Sequence, residues 1–256
     1  MQFVGDYHWD ERQLELCDTP ELDVFWIKND AKCFTYFHKY EFVDIEILNW
    51  SPAIVAYRNI LTKEEAEEFT DMIKKSNMQA QTVQYEDGSK ESDTRRANGT
   101  SFDFWHNSLT HRIRNRVTRR IPAINFGSTE MFSGLSYLPG GHYACHSDYL
   151  PPLEVDWWWD NYGARIGTLI FVLEKAEVGG GTVFPDLGIT EPNTLHGGCP
   201  IYSGSKTITT LWIRAKNQKL LPYTDSNHPI SADWLIPGQK EPFQGKILLD
   251  SYTKLE

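Results

Sequence analysis

The chain has 256 residues, of which 40% are hydrophobic and 23% charged, and its formal net charge is −10. This mix is typical of a globular protein that is long enough to bury a sizeable core, in one large domain or two small ones. The acidic balance argues against nucleic acid as the main partner. No apolar run is long enough to span a membrane, and the first residues lack the basic and apolar regions of a signal peptide.

Residues 1–50 are predicted to form an extension ahead of the main domain, because they are polar and aromatic without clear periodicity. A short strand is expected at 31–36. Cys17 and Cys33 bracket a polar segment of this extension. The chain's four cysteines are too few to define a disulfide framework, so four reduced thiols are one interpretation.

A first core strand is expected at 51–57, followed by a helix whose start is marked by a capping box. Thr62 fits the N-cap and Glu65 the N3 position, and apolar residues recur at helical spacing after them. Residues 79–103 are then predicted to form a polar hairpin region with its turn at 86–89.

A second helix is predicted from about 107 to 120, ending before Pro122, because the residue that precedes a proline avoids helical geometry. Its surface is crowded by arginines: Arg112, Arg114, Arg116, Arg119 and Arg120. An anion-binding patch is one interpretation. A solvated face paired with the protein's own carboxylates is favoured, since the chain is acidic overall.

The strand predicted at 143–148, which follows a strand at 131–137, contains a potential metal site. Alternate side chains of a strand point to the same face, so His146 and Asp148 would aim an imidazole and a carboxylate at one point. His196 is the best candidate for a third ligand, and two histidines with one carboxylate form the facial triad of non-heme Fe(II) oxygenases. The alternative is that each histidine is only hydrogen-bonded or solvated.

Residues 151–163 are predicted to form a loop that contains three consecutive tryptophans, Trp157, Trp158 and Trp159. Aromatic grooves bind polyproline II peptides, because those helices are preformed and lose little entropy on docking. The alternative is a loop that packs as a plug against the rim of the domain.

Two later strands surround the predicted site. Residues 165–173 are almost continuously apolar and predict a buried strand. Lys206 begins an alternating strand, and a lysine that enters a mostly buried strand is costly unless an anion meets it. The carboxylate of a ligand would be such an anion. The alternative is a lysine at the strand end with its ammonium in water.

Four motifs make the chain resemble the catalytic domain of prolyl 4-hydroxylases, above all the collagen-type α subunit. The motifs lie, in order, at 137–148, 165–168, 177–185, and 196–200 with Lys206. The resemblance runs from about Cys17 to Trp212. It implies an α+β fold at 51–214: a double-stranded β-helix, or jelly roll, with helices packed on one side.

The resemblance also implies an activity and its ligands. The family hydroxylates peptidyl proline at the 4-position, as in procollagen, while 2-oxoglutarate is decarboxylated to succinate and L-ascorbate rescues oxidised iron. The implied Fe(II) ligands are His146, Asp148 and His196. The residues implied to bind 2-oxoglutarate are Lys206, Thr168 and Tyr137, with Lys206 and Thr168 sharing its far carboxylate. The residues assigned to peptide binding are Tyr143, Trp157 and Trp158.

By the same resemblance, a disulfide between Cys17 and Cys33 is expected, in the lumen of the endoplasmic reticulum. A partner subunit is expected there, and a proline-rich or collagen-like peptide is the expected substrate. The missing signal peptide conflicts with this location, and a truncated N-terminus would reconcile the two.

The chain departs from the family between Pro185 and His196. The connection 186–195 is too short for the two core strands that the family places there, so two strands are expected to be missing and the protein to be weakly active or inactive. Residues 215–256 lie outside the resemblance and are predicted to form a polar extension that is loosely packed or disordered.

Two other functions are compatible with these features. One is a catalytically impaired homologue that binds proline-rich peptide, which the short connection favours. The other is a related oxygenase with a different protein target. Lys206 argues against the second, because those relatives usually place an arginine at this position.

Overall fold

The computed structural model describes residues 3–19, 32–85, 88–149, 157–187, 194–219, 230–236 and 246–251. Helices and antiparallel sheets are mixed along these ranges, so the fold is α+β, as predicted. The helices are α1 (Glu11–Asp18), α2 (Lys63–Lys75), α3 (Ser108–Arg120) and α4 (Trp157–Tyr162). None of the helices in the described ranges is long and apolar enough to cross a membrane.

A five-stranded antiparallel sheet forms the largest layer. Its order is β11 (Arg165–Glu174), β16 (Lys206–Arg214), β9 (Phe132–Tyr137), β8 (Asn98–Phe102) and β4 (Gln79–Ala80). Helices α2 and α3 pack on one face of this sheet, where Phe69, Ile113 and Phe132 are fully buried in one apolar cluster. The opposite face of β9 and β16 is therefore left for the candidate site.

A four-stranded antiparallel sheet carries the strand with the predicted metal ligands. Its order is β13 (Thr182–Val183), β14 (His196–Gly198), β10 (His142–His146) and β7 (Arg95–Arg96). Side chains from this sheet and from the five-stranded sheet line one shared cavity. Two antiparallel pairs complete this region: β5 (Thr82–Tyr85) with β6 (Gly88–Glu91), and β12 (Val178–Gly179) with β15 (Ile201–Ser203).

The two ends of the chain share a further four-stranded sheet. Its order is β17 (Lys246–Ser251), β1 (Lys32–His38), β2 (Glu41–Asn49) and β3 (Ile54–Tyr57). Ala232 and Ile236 are fully buried against this sheet. The prediction that residues 215–256 pack loosely is therefore wrong where they are described, because their few apolar side chains fill the core of this sheet.

Both predicted helices are present, and each begins directly after its predicted N-cap region. The capping box of α2 is complete, since Thr62 Oγ1 accepts from Glu65 N at 3.2 Å and Glu65 Oε2 accepts from Thr62 N at 3.1 Å. In α3, Asn107 is the N-cap and accepts from Thr110 N at 2.9 Å. These bonds satisfy backbone N–H groups that a helix start leaves without partners.

The arginines of α3 bond to carboxylates of the same chain. Arg116 donates to Glu65 at 2.8 Å, and Arg120 donates to Glu41 at 2.6 Å. The favoured interpretation of this surface is confirmed for these two arginines, which join α3 to α2 and to the sheet of the chain ends.

The missing-strand prediction falls partly outside the described residues, because these exclude 188–193. Among the described strands, β11 stands at one end of its sheet and β13 at one end of the other. Ile170 and Val172 of β11 are correspondingly exposed, Val172 by 51%.

Candidate metal centre

Strand pairing brings the three predicted metal ligands together. His146 at the end of β10 stands opposite His196 at the start of β14. Asp148 follows two residues after His146, and its carboxylate lies 3.8 Å from His146 Nε2 and 3.7 Å from His196 Nε2. One ligand atom from each residue lies within 4.8 Å of the other two. The predicted convergence of these side chains is therefore present.

Backbone carbonyls fix the orientation of both imidazoles. His146 Nδ1 lies 2.9 Å from Ala144 O, and His196 Nδ1 lies 2.8 Å from Thr194 O. A carbonyl only accepts hydrogen bonds, so in this network Nδ1 carries the proton in each ring. Nε2 of each ring is then left with its lone pair towards Asp148, which is how metal-binding histidines are commonly held. The residues fit a divalent metal ion.

The surroundings of His146 and Asp148 favour the protonation states that a metal requires. Burial and the neighbouring His196 lower the pKa of His146 to about 4, so its imidazole is neutral at pH 7. Burial alone would raise the pKa of Asp148, but His196 and the Thr168 hydroxyl, which donates to Asp148 at 2.5 Å, outweigh it and lower that pKa. A neutral imidazole and an ionised carboxylate are both ready to act as ligands.

Lys206 is buried at another part of the same cavity. It is 7% exposed, and its Nζ donates to Gly180 O at 2.6 Å. Burial lowers the pKa of Lys206 to about 8. In the described part of the chain this ammonium meets carbonyls rather than a carboxylate, so an incoming anion would offset the cost of burying its charge.

Tyr137 and Thr168, the other two residues predicted to bind cosubstrate, lie at different distances from Lys206. Tyr137 stands directly opposite Lys206 in the sheet, and burial raises its pKa to about 12. Thr168 stands opposite Trp212, six residues further along β16, which is roughly 20 Å along an extended strand. Thr168 is therefore wrongly predicted to share a carboxylate with Lys206, and its hydroxyl instead orients Asp148.

Tyr143 is stacked against a predicted metal ligand. Its ring lies 3.5 Å from that of His146, centroid to centroid, at an angle of 17°. The Arg95 guanidinium lies 4.7 Å from the Tyr143 ring centre and also lines the cavity. Arg95 could not be singled out from the sequence, because the pairing of β7 with β10 is what places it here.

The predicted peptide-binding tryptophans stand on α4 rather than on a loop. Trp157 and Trp158 contact each other edge to face at 5.2 Å, and both contact Tyr162. The structure therefore has a helix at 157–162, where a loop was predicted; residues 151–156 lie outside the described ranges. The described cavity lining includes Trp212 but neither Trp157 nor Trp158.

An ion network behind Trp212 was not anticipated from sequence. Glu130 accepts from Arg165 at 2.7 and 2.9 Å and from Arg214 at 2.7 Å. The Arg165 guanidinium lies 4.0 Å from the Trp212 ring centre. This network fixes the ends of β11 and β16 on either side of the cavity wall, but its members are too far apart in sequence to suggest a pairing.

The predicted disulfide partner of Cys17 is wrong. Cys17 is bonded to Cys199, with a Cα–Cα distance of 5.6 Å. Helix α1 packs on the sheet that holds β14, and Cys199 follows that strand directly. Cys33 instead lies in β1, which belongs to a different sheet.

No family model matches the sequence. The chain is 27% identical over 213 residues to the probable prolyl 4-hydroxylase 8 of Arabidopsis thaliana, covering 66% of this chain and 70% of that protein. It is 26% identical over 230 residues to the prolyl 4-hydroxylase subunit alpha-2 of Caenorhabditis elegans, covering 79% of this chain but 42% of that protein.

Among solved structures, the viral collagen prolyl hydroxylase of Paramecium bursaria Chlorella virus-1, in complex with 2-oxoglutarate, is similar with a TM-score of 0.43 and 23% identity. The similarity covers 61% of this chain and 92% of the viral chain. The sequence relatives, by contrast, agree in being prolyl 4-hydroxylases over about two thirds of the chain. By sequence, the chain is therefore similar to prolyl 4-hydroxylases over about two thirds of its length.

Proposed function

We propose that the protein is an Fe(II)- and 2-oxoglutarate-dependent dioxygenase that hydroxylates peptidyl proline at the 4-position. The observation that carries this proposal is the convergence of His146, Asp148 and His196 at a cavity that also holds the buried Lys206. A metal triad and a buried cation in one cavity suit a ligand that chelates metal at one end and is anionic at the other. The names of the sequence relatives support proline as the target.

Each residue of the site has a definite role in this proposal. His146, Asp148 and His196 would hold Fe(II), which supplies oxygen activation coupled to the decarboxylation of 2-oxoglutarate when both are bound. Lys206 would donate a charge-assisted hydrogen bond to the far carboxylate of 2-oxoglutarate. Tyr137 lies opposite Lys206 in the sheet. Apolar residues such as Leu135 and Ile208 line the cavity and exclude water. L-ascorbate, as in the family, would keep iron reduced.

The two sheets around the cavity are proposed to be a double-stranded β-helix that lacks two strands. The pairing of β9, β16 and β11 in one sheet and of β10, β14 and β13 in the other supports this arrangement. Among the described strands, β11 and β13 are edge strands of their sheets. This supports the expectation that each sheet lacks one strand next to its edge. An incomplete wall would position the cosubstrate less tightly and slow the reaction.

The proposed substrate is a proline-rich or collagen-like peptide, and the proposed location is the lumen of the endoplasmic reticulum. The exposed aromatic side chains Tyr149 and Trp157 support a peptide surface, since rigid aromatic faces suit polyproline II helices. The Cys17–Cys199 disulfide supports an oxidising compartment. A partner subunit is proposed because the Caenorhabditis elegans relative is named as an alpha subunit.

The proposal is tested by 2-oxoglutarate turnover in purified protein with Fe(II), with and without a Pro-Pro-Gly repeat peptide. We expect succinate release that depends on Fe(II) and increases with the peptide. The His196→Ala variant serves as the negative control. The proposal would be contradicted if the wild type released no more succinate than His196→Ala and the peptide did not increase this release.

A second candidate is a catalytically impaired homologue that only binds proline-rich peptide. The exposure of Ile170, which lines the cavity, and of its neighbour Val172 on the end strand β11 supports this candidate. It predicts peptide binding without Fe(II)-dependent succinate release. Equilibrium binding of a labelled Pro-Pro-Gly peptide, measured beside the turnover assay, separates the two functions.

A further inference from the structure

The N-terminal segment, residues 3–19, packs behind the strands that carry both candidate histidine ligands. Trp9 is 6% exposed and packs with Ala144, Val183 and Cys199 in one apolar cluster. A Cβ placed on Gly197 would lie 2.9 Å from the Trp9 ring and 2.9 Å from the Cys145 sulfur. The Trp9 indole therefore lies directly behind the residue next to His196.

Hydrogen bonds and a disulfide hold the N-terminal segment on this sheet and on the segments next to its strands. His8 bonds to Asp93 at 2.9 Å, and Arg12 donates to Pro185 O at 2.8 Å. The covalent contact is the disulfide of Cys17, at the end of α1, with Cys199, and its two cysteines are 182 residues apart in sequence. The disulfide thus fastens the segment three residues beyond His196.

Cys199 also contacts the part of the cavity wall that holds Lys206. Its backbone N–H donates to Gly181 O at 3.0 Å. The preceding carbonyl, Gly180 O, accepts from Lys206 Nζ at 2.6 Å. A shift of Cys199 would therefore be passed to the strand of His196 on one side and to the hydrogen-bond partner of Lys206 on the other.

The two sulfurs of this disulfide differ in access. Cys199 is 2% exposed, whereas Cys17 is half-buried at the end of a helix whose neighbouring residues Leu16 and Asp18 are exposed. A small thiol would attack Cys17 Sγ, the S–S bond would break, and Cys199 would leave as a thiolate that takes up a proton. A second thiol molecule would resolve the mixed disulfide at Cys17, so that two thiols are oxidised to one disulfide while the protein gains two thiols.

We propose that the Cys17–Cys199 disulfide is a redox-controlled brace of the metal centre: its reduction loosens the N-terminal segment behind His196 and weakens metal binding. This inference rests on the proposed function, since it concerns the metal of the same site. Partners that orient a metal ligand from behind typically change metal affinity by about 10- to 100-fold when they are removed. Cys17 and Cys199 are thus positioning residues that act through β14.

The test compares Mn(II) affinity of the full chain in its oxidised and thiol-reduced forms, with the reductant removed anaerobically before titration. Free Mn(II) is measured by electron paramagnetic resonance, at a temperature well below the unfolding midpoint of both forms. We expect the dissociation constant for Mn(II) to rise about tenfold or more on reduction and to return on reoxidation. A brace that only stabilised the fold would lower the unfolding midpoint and leave this constant unchanged.

Two cysteine variants provide the matched comparison. Cys17→Ser should bind Mn(II) as weakly as the reduced protein and should not respond to thiol. Cys33→Ser removes a cysteine from a different sheet and should respond to thiol like the wild type. Equal Mn(II) affinity of oxidised and reduced wild type would overturn the brace alone. Absence of Mn(II) binding in both forms would overturn the proposed function and the brace with it.

Discussion

At the scale of single residues, part of the convergence of His146, Asp148 and His196 was predictable, because two of these three residues form a local pattern. His146 and Asp148 are two apart on a strand, and this spacing alone sends both side chains to one face. The carbonyl partners of the two imidazoles, Ala144 O and Thr194 O, were not predictable. They depend on how the backbone bends at the strand ends, which spacing does not encode.

Replacement of any one ligand should abolish iron-dependent turnover. His146→Ala, Asp148→Ala and His196→Ala each leave two protein ligands, and a facial triad has no spare one. Fe(II)-dependent succinate release measures the effect. His106→Ala, which removes an exposed histidine far from the triad in sequence, should retain wild-type activity. Activity near wild type in any of the three alanine variants would refute the ligand assignment.

Lys206→Ala should weaken 2-oxoglutarate binding much more than peptide binding. A charge-assisted hydrogen bond from a buried ammonium to a carboxylate is worth roughly 1.5–3 kcal/mol, or about one to two orders of magnitude in affinity. Steady-state titration of both substrates measures the effect. An unchanged constant for 2-oxoglutarate would mean that Lys206 only fills the cavity wall.

The lowered pKa of Lys206 gives this interaction a pH dependence. Because burial lowers that pKa to about 8, the side chain is charged below pH 8 and loses its proton as the pH rises above it. Affinity for 2-oxoglutarate in the presence of Mn(II) should therefore fall between pH 7 and 9 in the wild type. Lys206→Arg keeps its charge over this range and should show a smaller fall. The same fall in both proteins would contradict the assignment.

At the scale of elements, helices were predicted more reliably than short strands. Thr62 and Asn107 mark helix starts by local hydrogen bonds, so sequence alone reveals them. The three-residue strand β14 has no periodicity to read, although it carries His196. The disulfide partner of Cys17 was mispredicted for a related reason. Its bond to Cys199 depends on the packing of α1 against a strand that is distant in sequence.

Glu130 should be important for holding β11 and β16 together. Glu130→Ala would leave two mostly buried guanidinium groups, of Arg165 and Arg214, without their carboxylate. Breaking a buried ion pair from one side costs roughly 3–5 kcal/mol of unfolding free energy. Urea denaturation measures it, with Glu67→Ala as control, since Glu67 is exposed beside Lys63 and should change stability by about 1 kcal/mol or less. Equal effects of the two variants would contradict the role of the network.

At the scale of the whole molecule, the two chain ends form one layer that sequence reasoning treated as separate extensions. Strand β17 pairs with β1, and Ala232 and Ile236 are buried against β1 and β2. Residues 215–256 are polar overall, and the prediction of loose packing was based on this composition. The few apolar residues that decide how the segment packs had little weight in it. Pairing between segments about 200 residues apart leaves no local pattern in either of them.

Ile236→Ala should therefore destabilise the protein although it lies near the end of the chain. Ile236 is fully buried. Substitution of a buried isoleucine by alanine lowers the free energy of unfolding by about 2–5 kcal/mol. Urea denaturation followed by tryptophan fluorescence gives the change in unfolding free energy. Val178→Ala, at an exposed valine, should change it by about 0.5 kcal/mol or less. An unchanged unfolding midpoint for Ile236→Ala would mean that the segment containing Ile236 does not unfold cooperatively with the rest of the protein.

Mass spectrometry of a Pro-Pro-Gly repeat peptide after incubation with the protein shows whether this cavity hydroxylates peptidyl proline. We expect the peptide to gain single oxygen atoms, located by amino-acid analysis in 4-hydroxyproline, and we expect this gain to require Fe(II), 2-oxoglutarate and His196. A peptide that binds to the protein yet gains no oxygen, while Mn(II) and 2-oxoglutarate both bind, would refute the proposed hydroxylation and favour the peptide-binding homologue.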